Sequence, residues 1–381
     1  MQQISSADPV GHPIHESLGR LLQEVPRRAL GADERILIAS DLHLGNGGSR
    51  DDFRRNGPLF EAALREYYLP RGYLLVLNGD IEELQRFTLP QVRQAWAGIF
   101  DLFLSFRRGP GLYKIYGNHD FLLSLRNDPY PADELLEGLC LTNGDRSLFV
   151  FHGHQASLFQ ERFMSLSGLV LRYVATPLGF RSYSTSQDSR KKFRVERRVY
   201  TFASSRKLIS LIGHTHRPLF ESVSKIDALR FRIEQLCRRY AEAASDQREA
   251  LGKEIRQSKE ELERLYAVKG EIPHTPSLYN SRFLVPSLFN SGCAVGKRGF
   301  TALEIRDGNI ALVHWFDRRR SDRHLREVPS SGTRSSVPAV GIDEPVNRQF
   351  YPEQLGDSDF FRLVLNRDSL DYVFTRIHLL G

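Results

Sequence analysis

Cysteine is scarce in this chain: among 381 residues only Cys140, Cys237 and Cys293 occur, and no two of them form a C-x-x-C pair. An odd, scattered set excludes a disulfide framework and a cysteine-built zinc knuckle, and it fits a reducing, cytoplasmic setting. Long apolar runs are missing as well. No stretch approaches the roughly 18 residues of a membrane span, and residues 1–33 lack a basic segment followed by an apolar one. The expectation is a protein neither secreted nor spanning a membrane. Charge of neither sign is scarce, but the balance of +7 favours an anionic partner, and nucleic acid, phospholipid and nucleotide all satisfy that class. The hydrophobic fraction of 41% supplies a core for one large or two modest domains.

What the sequence does contain is one pattern repeated five times: an apolar run that ends in side chains able to hold a metal. Leu112 to Tyr116 runs into Gly117-Asn118-His119-Asp120, and Ile36 to Ala39 into Ser40-Asp41-Leu42-His43. Tyr73 to Leu77 runs into Asn78-Gly79-Asp80, Leu148 to Phe151 into His152-Gly153-His154, and Leu208 to Ile212 into Gly213-His214-Thr215-His216. Each run reads as a buried strand, and Gly117 permits a sharp turn out of the sheet. Such strand ends are where α/β proteins carry chemistry. Five strands therefore bring their ligands to one edge. The pooled donors are two carboxylates, an amide oxygen and four imidazoles, which without thiolate suit Mn, Fe, Zn or Mg. Seven side chains exceed one octahedron once water is counted, so two ions are expected. Paired ions sit about 3.5–4 Å apart and clamp the attacking and leaving oxygens of a displacement.

The order D-x-H (Asp41, His43), G-D (Gly79-Asp80), G-N-H-D (Gly117 to Asp120), H (His152) and G-H-x-H (Gly213 to His216) resembles the calcineurin-like metallophosphoesterases over roughly residues 36–216. The resemblance implies an α/β fold, a four-layer α/β/β/α sandwich with the strands after residue 280 in its second sheet. It implies a first metal ion on Asp41, His43, Asp80 and His216 and a second on Asp80, Asn118, His152 and His214, with Asp80 bridging. Manganese is the first choice, iron or zinc the alternatives. His119 is left unligated, to contact the phosphate and protonate the leaving oxygen, and Asp120 resembles the family's orienting carboxylate for that imidazole. His154 is assigned to the substrate pocket or to support of the ligands. The implied activity is hydrolysis of a phosphomonoester, phosphodiester or pyrophosphate by in-line attack of hydroxide held on the ions, with an anionic phosphate-containing substrate. The alternatives are a protein serine/threonine phosphatase and, from another class, an interaction protein that works through its helices.

The remaining segments are read around that domain, which spans 34–223 and 280–317. Residues 1–33 form an N-terminal extension with a helix over Ile14 to Val25, and His12 and His15 are expected at the surface. Glu82 and Glu83 lie close in sequence to the site, and two roles stand for them, stabilising a helix N-terminus or serving the site. About 157–205 an apolar helix (Phe163 to Val174) precedes a basic one (Arg190 to Arg198). Two readings stand: a helix pair packed on the sheet, or a cap over the site that takes an anionic or acyl-bearing substrate or rests peripherally on the inner membrane face. In placing a cap there the chain resembles the UDP-2,3-diacylglucosamine pyrophosphatases, although His119 stands where that branch has Arg. Residues 224–270 read as a helical-hairpin insert, or as a coiled coil that pairs two copies into a homodimer. Residues 318–381 read as a basic linker and C-terminal tail.

Overall fold

The computed structural model describes residues 13–125, 130–132, 135–157, 189–221, 229–230, 232–233, 236–237, 240, 245–269, 285–320 and 351–380. His12, the apolar helix of the expected cap and most of the linker after residue 320 lie outside them. Thirteen strands are described: β1 (Arg27–Ala29), β2 (Ile36–Ala39), β3 (Leu74–Asn78), β4 (Leu112–Ile115), β5 (Leu135–Leu136), β6 (Gly138–Asn143), β7 (Arg146–Phe151), β8 (Ile209–Ile212), β9 (Leu288–Asn290), β10 (Phe300–Arg306), β11 (Asn309–Asp317), β12 (Glu353–Gln354) and β13 (Phe360–Ser369). They form two sheets, β1-β6-β7-β8-β9 and β12-β13-β11-β10-β2-β3-β4-β5.

The two sheets stack because their strands are apolar on both faces, and the period-2 alternation sorts those faces between layers. Ile36, Ile38, Leu74 and Val76 meet Leu148, Val150, Ile209 and Leu211 between the sheets. Leu37, Ala39, Leu75 and Leu77 point outward, under α2 (Gly57–Ala62, continued to Tyr68 as a π-helical turn), α3 (Leu89–Ala95) and α4 (Ala97–Arg108). Phe149 and Phe151 point outward on the other side, under α1 (Pro13–Glu24) and α5 (Ser189–Ser205). The result is the expected α/β/β/α sandwich. Among the described residues, no helix is long and apolar enough to cross a membrane.

Three expectations need correcting, and one open reading is decided. The five ligand-bearing strands belong to two sheets, β2, β3 and β4 in one and β7 and β8 in the other. The strands after residue 280 divide likewise: β9 pairs with β8, but the β10–β11 hairpin pairs with the free edge of β2. Helix α5 packs Val195, Val199, Phe202 and Ala203 against the outer face of the five-stranded sheet, as in the first of the two readings of that segment. His15 is buried, with Nε2 3.1 Å from the Thr201 hydroxyl of α5.

The chain after residue 350, read as a tail, extends the sheet. β13 pairs along β11, and α7 (Leu370–Leu380) inserts Leu370, Val373, Phe374 and Ile377 between the sheets. The basic run before it is neutralised locally, since Arg318 and Arg319 pair with Asp359 and Asp317 at 2.5 and 2.8 Å. In the helical insert, α6 (Ser245–Lys269) is described, Leu229, Leu236 and Leu251 are buried, and Arg232 lies 3.8 Å from Glu254.

Candidate metal centre

The turns that follow β2, β3 and β8 are built against the ordinary backbone preference. Asp41, His43, Asp80, His214 and His216 all have positive φ, between 52° and 63°. A side chain in the left-handed region costs on the order of 1–3 kcal/mol and persists only where the surroundings hold it. Here the holding bonds run between turns: Asp41 N–H donates to Gly79 O at 3.0 Å, His43 N–H to Asp80 O at 3.0 Å, and Gly213 N–H to His152 O at 3.0 Å. The turns touch without slack. A Cβ on Gly117 would lie 2.2 Å from Asp80 Oδ1, and one on Gly213 2.4 Å from Asp41 Oδ2. Glycine is required at both.

These turns bring seven of the expected site residues into one cluster. Asp41, His43 and His216 offer donor atoms within 4.8 Å of one another, as do Asp80, His152 and His214. His216 Nε2 is 3.1 Å from Asp41 Oδ1 and 3.1 Å from His43 Nε2, and Asp80 Oδ2 is 3.1 Å from His152 Nε2 and 4.0 Å from His43 Nε2. Asp80 stands between the two groups. A third set, His43, Asp80 and His119, meets the same distance, although Nδ1 of each of its two imidazoles is already engaged by Glu83.

The donors fit divalent ions on a further count. Asn118 Oδ1 and His214 Nε2 are buried and have no hydrogen-bond partner in the protein, and buried polar atoms left so are rare and costly; His152 Nε2 faces Asp80 Oδ2 at 3.1 Å. With Asp80, they are the four groups expected on the second ion. His152 Nδ1–H donates to Asn78 O at 2.9 Å, which turns Nε2 to the site. Asn118 and the four histidines His43, His152, His214 and His216, with Asp41 and Asp80, therefore offer a donor set whose chemistry fits an oxygen- and nitrogen-bound cation.

Electrostatics in the metal-free protein agree. Burial would raise the Asp80 carboxyl, but His152, His119 and His43 outweigh it and hold it well below the usual carboxylate range. Burial would lower His152, but Asp80 and Asp41 push it up to about 9. Burial and then His152 lower His214 to about 3. His152 thus carries a proton at pH 7 that an entering cation must displace. Loading the protein at pH 7 is expected to release about one proton through His152, and metal affinity to rise with pH up to about 9. Titration calorimetry in buffers of different ionisation enthalpy measures that release, and His152→Ala should abolish it.

His119 lies at the mouth, its side chain 14% exposed where those of Asp41 and His152 are fully buried. Its Nδ1 meets both carboxylate oxygens of Glu83 at 2.9 Å, and His43 Nδ1 meets Glu83 Oε2 at 3.0 Å. One carboxylate thus orients two imidazoles, one from each role. Burial opposes charge on His119, but Asp80 and the Glu83 hydrogen bond prevail and raise its pKa. Burial likewise opposes charge on Glu83, but hydrogen bonds from His119 and His43 take it down to about 2.

Asp120 does not orient His119. Its oxygens accept from Gly117 N–H at 2.5 Å, Ile81 N–H at 2.9 Å and Lys114 Nζ at 2.5 Å, in full burial. Glu83 replaces it, and no helix starts at Glu82-Glu83; α3 begins at Leu89. His154 is buried beside His152 and His214, ring centroids 5.3 and 6.3 Å away, and burial, followed by those two rings, keeps its pKa well below the ordinary value. It backs the ligands as a neutral ring. The sequence also gave no hint of Glu196 on α5, whose carboxylate accepts from the Thr215 hydroxyl at 2.7 Å and from Arg217, fixing the turn between His214 and His216.

Comparison with known proteins adds a family. Residues 34–218 match a family model described as calcineurin-like phosphoesterase. No curated protein gives a significant match. A solved structure from Streptococcus pneumoniae, described as a conserved uncharacterised protein and predicted phosphoesterase, aligns at 13% identity over 74% of this chain and 89% of that chain, with a TM-score of 0.27. A likeness that slight carries no argument.

Proposed function

Residues 34–218 belong to the calcineurin-like phosphoesterase family, which makes the chain a metal-dependent phosphoester hydrolase, and on that premise we propose a dinuclear centre that cleaves a small phosphomonoester, phosphodiester or pyrophosphate. The observation that carries it is the buried group of Asp80, His152 and His214, whose donor atoms lie within 4.8 Å of one another, together with Asn118 Oδ1 and His214 Nε2, buried without a hydrogen-bond partner in the protein. Asp41, His43, Asp80 and His216 would hold the first ion, and Asp80, Asn118, His152 and His214 the second, with manganese the preferred metal. Bound divalent ions supply Lewis acidity and a water whose pKa falls toward about 7.

The protein's own groups do the rest. The carboxylate of Asp80 has two oxygens and serves both positions. Glu83 accepts the Nδ1 proton of His119 and presents the opposite nitrogen to the substrate. Asp80 and Glu83 raise the pKa of His119 above the ordinary value, which favours the charged ring that donates a proton to the leaving oxygen, a role general acids fill with about 10²–10⁴-fold effect. The test is turnover of p-nitrophenyl phosphate, bis-p-nitrophenyl phosphate, a UDP-sugar and a cyclic nucleotide with added Mn. At least one should be hydrolysed, with activity lost on chelation and restored by the metal. A metal-loaded protein inert toward all of them would sink the small-substrate reading.

A further inference from the structure

Under the turns that carry Asp80 and Asn118 lies a group of polar side chains that hydrolysis does not use. Lys114 is on β4, opposite Leu77 of β3, and neither it nor its partners Glu82 and Asp120 expose any side-chain surface. Its Nζ donates to Asp120 Oδ2 at 2.5 Å and to Glu82 Oε2 at 2.9 Å, and the Tyr130 hydroxyl donates to Glu82 Oε1 at 2.5 Å. An apolar residue is the ordinary solution at such a strand position, because burying a charged cluster is costly and apolar replacements of buried ion pairs are often neutral or stabilising. The cluster therefore calls for a reason beyond stability.

Its geometry supplies one. Glu82 belongs to the turn after β3, which carries Asp80; Asp120 belongs to the turn after β4, which carries Asn118 and His119. Asp120 spans the two, accepting Gly117 N–H from its own turn and Ile81 N–H from the other. In return Asp80 Oδ1 accepts His119 N–H at 2.8 Å. Lys114 is the one cation joining a carboxylate of the first turn to a carboxylate of the second among these contacts. Without it two buried carboxylates face each other across the joint, and like charges so placed push apart.

We propose that Lys114 is a positioning residue that locks the Asp80 turn to the Asn118 turn and so sets the bite of the second metal position. The proposal rests on the dinuclear reading above, in which Asp80 and Asn118 serve the same ion. It predicts a selective effect. Asp41, His43 and His216 come from other turns, so the first position keeps three of its donors in place while the second loses the spacing between two of its four.

The experiment titrates Mn(II) into wild type, Lys114→Met, Lys114→Met/Glu82→Gln and the control Arg362→Met/Glu304→Gln, by calorimetry and electron paramagnetic resonance, alongside thermal unfolding of the metal-free proteins. The double variant removes one uncompensated carboxylate and so protects folding. The control breaks a comparably buried ion pair between β13 and β10 of the same sheet. Expected is one Mn site of wild-type affinity and a second weakened about 10–100-fold in the Lys114 variants, with both sites intact in the control despite its lower melting temperature. Tyr130→Phe, which removes only the hydroxyl that steadies Glu82, should weaken the same site to a smaller degree if the Lys114 variants do not fold. The proposal is overturned if the Lys114 variants, or Tyr130→Phe in their place, bind both ions as wild type does, or if the control weakens the second site equally. Uptake of a single Mn by wild type would instead refute the dinuclear reading, and Lys114 would then stand or fall on whether that one affinity drops in its variants and not in the control.

Discussion

Asp80→Ala should yield a folded protein that retains neither metal ion and turns over substrate at least about 10³-fold more slowly than wild type. Asp80 is the carboxylate common to two donor groups, with Oδ2 3.1 Å from His152 Nε2 and 4.0 Å from His43 Nε2. A bound ion supplies several kcal/mol of charge stabilisation in the transition state, and each ~1.4 kcal/mol is a factor of ten in rate. Folding should survive, because the strands pack through Leu75, Val76 and Leu77, and because burial alone works against charge at this site. Elemental analysis beside steady-state kinetics checks both parts. Stoichiometric retention of either ion would remove Asp80 from the bridging role.

The second large effect separates chemistry from metal binding. His119→Ala should keep both ions and lower kcat by about 10²–10⁴-fold. Glu83→Gln should lower kcat by about 10–100-fold and weaken metal uptake as well, since the same carboxylate orients the proposed ligand His43. The pH profile gives the sign. Glu83 raises the pKa of His119, so its neutralisation lowers that pKa, and the alkaline limb of the kcat profile should move to lower pH. Asp120→Asn should not move that limb, because its oxygens serve Gly117, Ile81 and Lys114. An alkaline limb unmoved in Glu83→Gln but shifted in Asp120→Asn would reverse the two assignments.

The exchange of Asp120 for Glu83 marks where sequence reasoning reaches its range. Asp120 adjoins His119 in the chain, but within so tight a turn its side chain folds back onto the amide of Gly117. Glu83 is 36 residues away and meets His119 only because β3 and β4 are parallel neighbours ending at the same edge. A signal did exist: a carboxylate three residues past Asp80, at a strand end where no helix begins until Leu89. Helix α5 makes the same point. Its apolar stripe of Val195, Val199 and Phe202 is visible in the sequence, yet a stripe does not say which surface it covers.

The sequence by itself determined the five ligand-bearing strands, the turns that end them and the candidate donors those turns carry, because these are local. An apolar run buried on both faces gives a core strand, and a glycine or left-handed residue after it lifts a ligand out of the sheet. Tertiary structure alone decided which sheet each ligand strand joins, that β13 and α7 complete the fold, and which carboxylates serve His119 and Lys114. Those outcomes depend on strand order and on the register between strands, which places side chains tens or hundreds of residues apart within 3 Å. No local pattern carries that information.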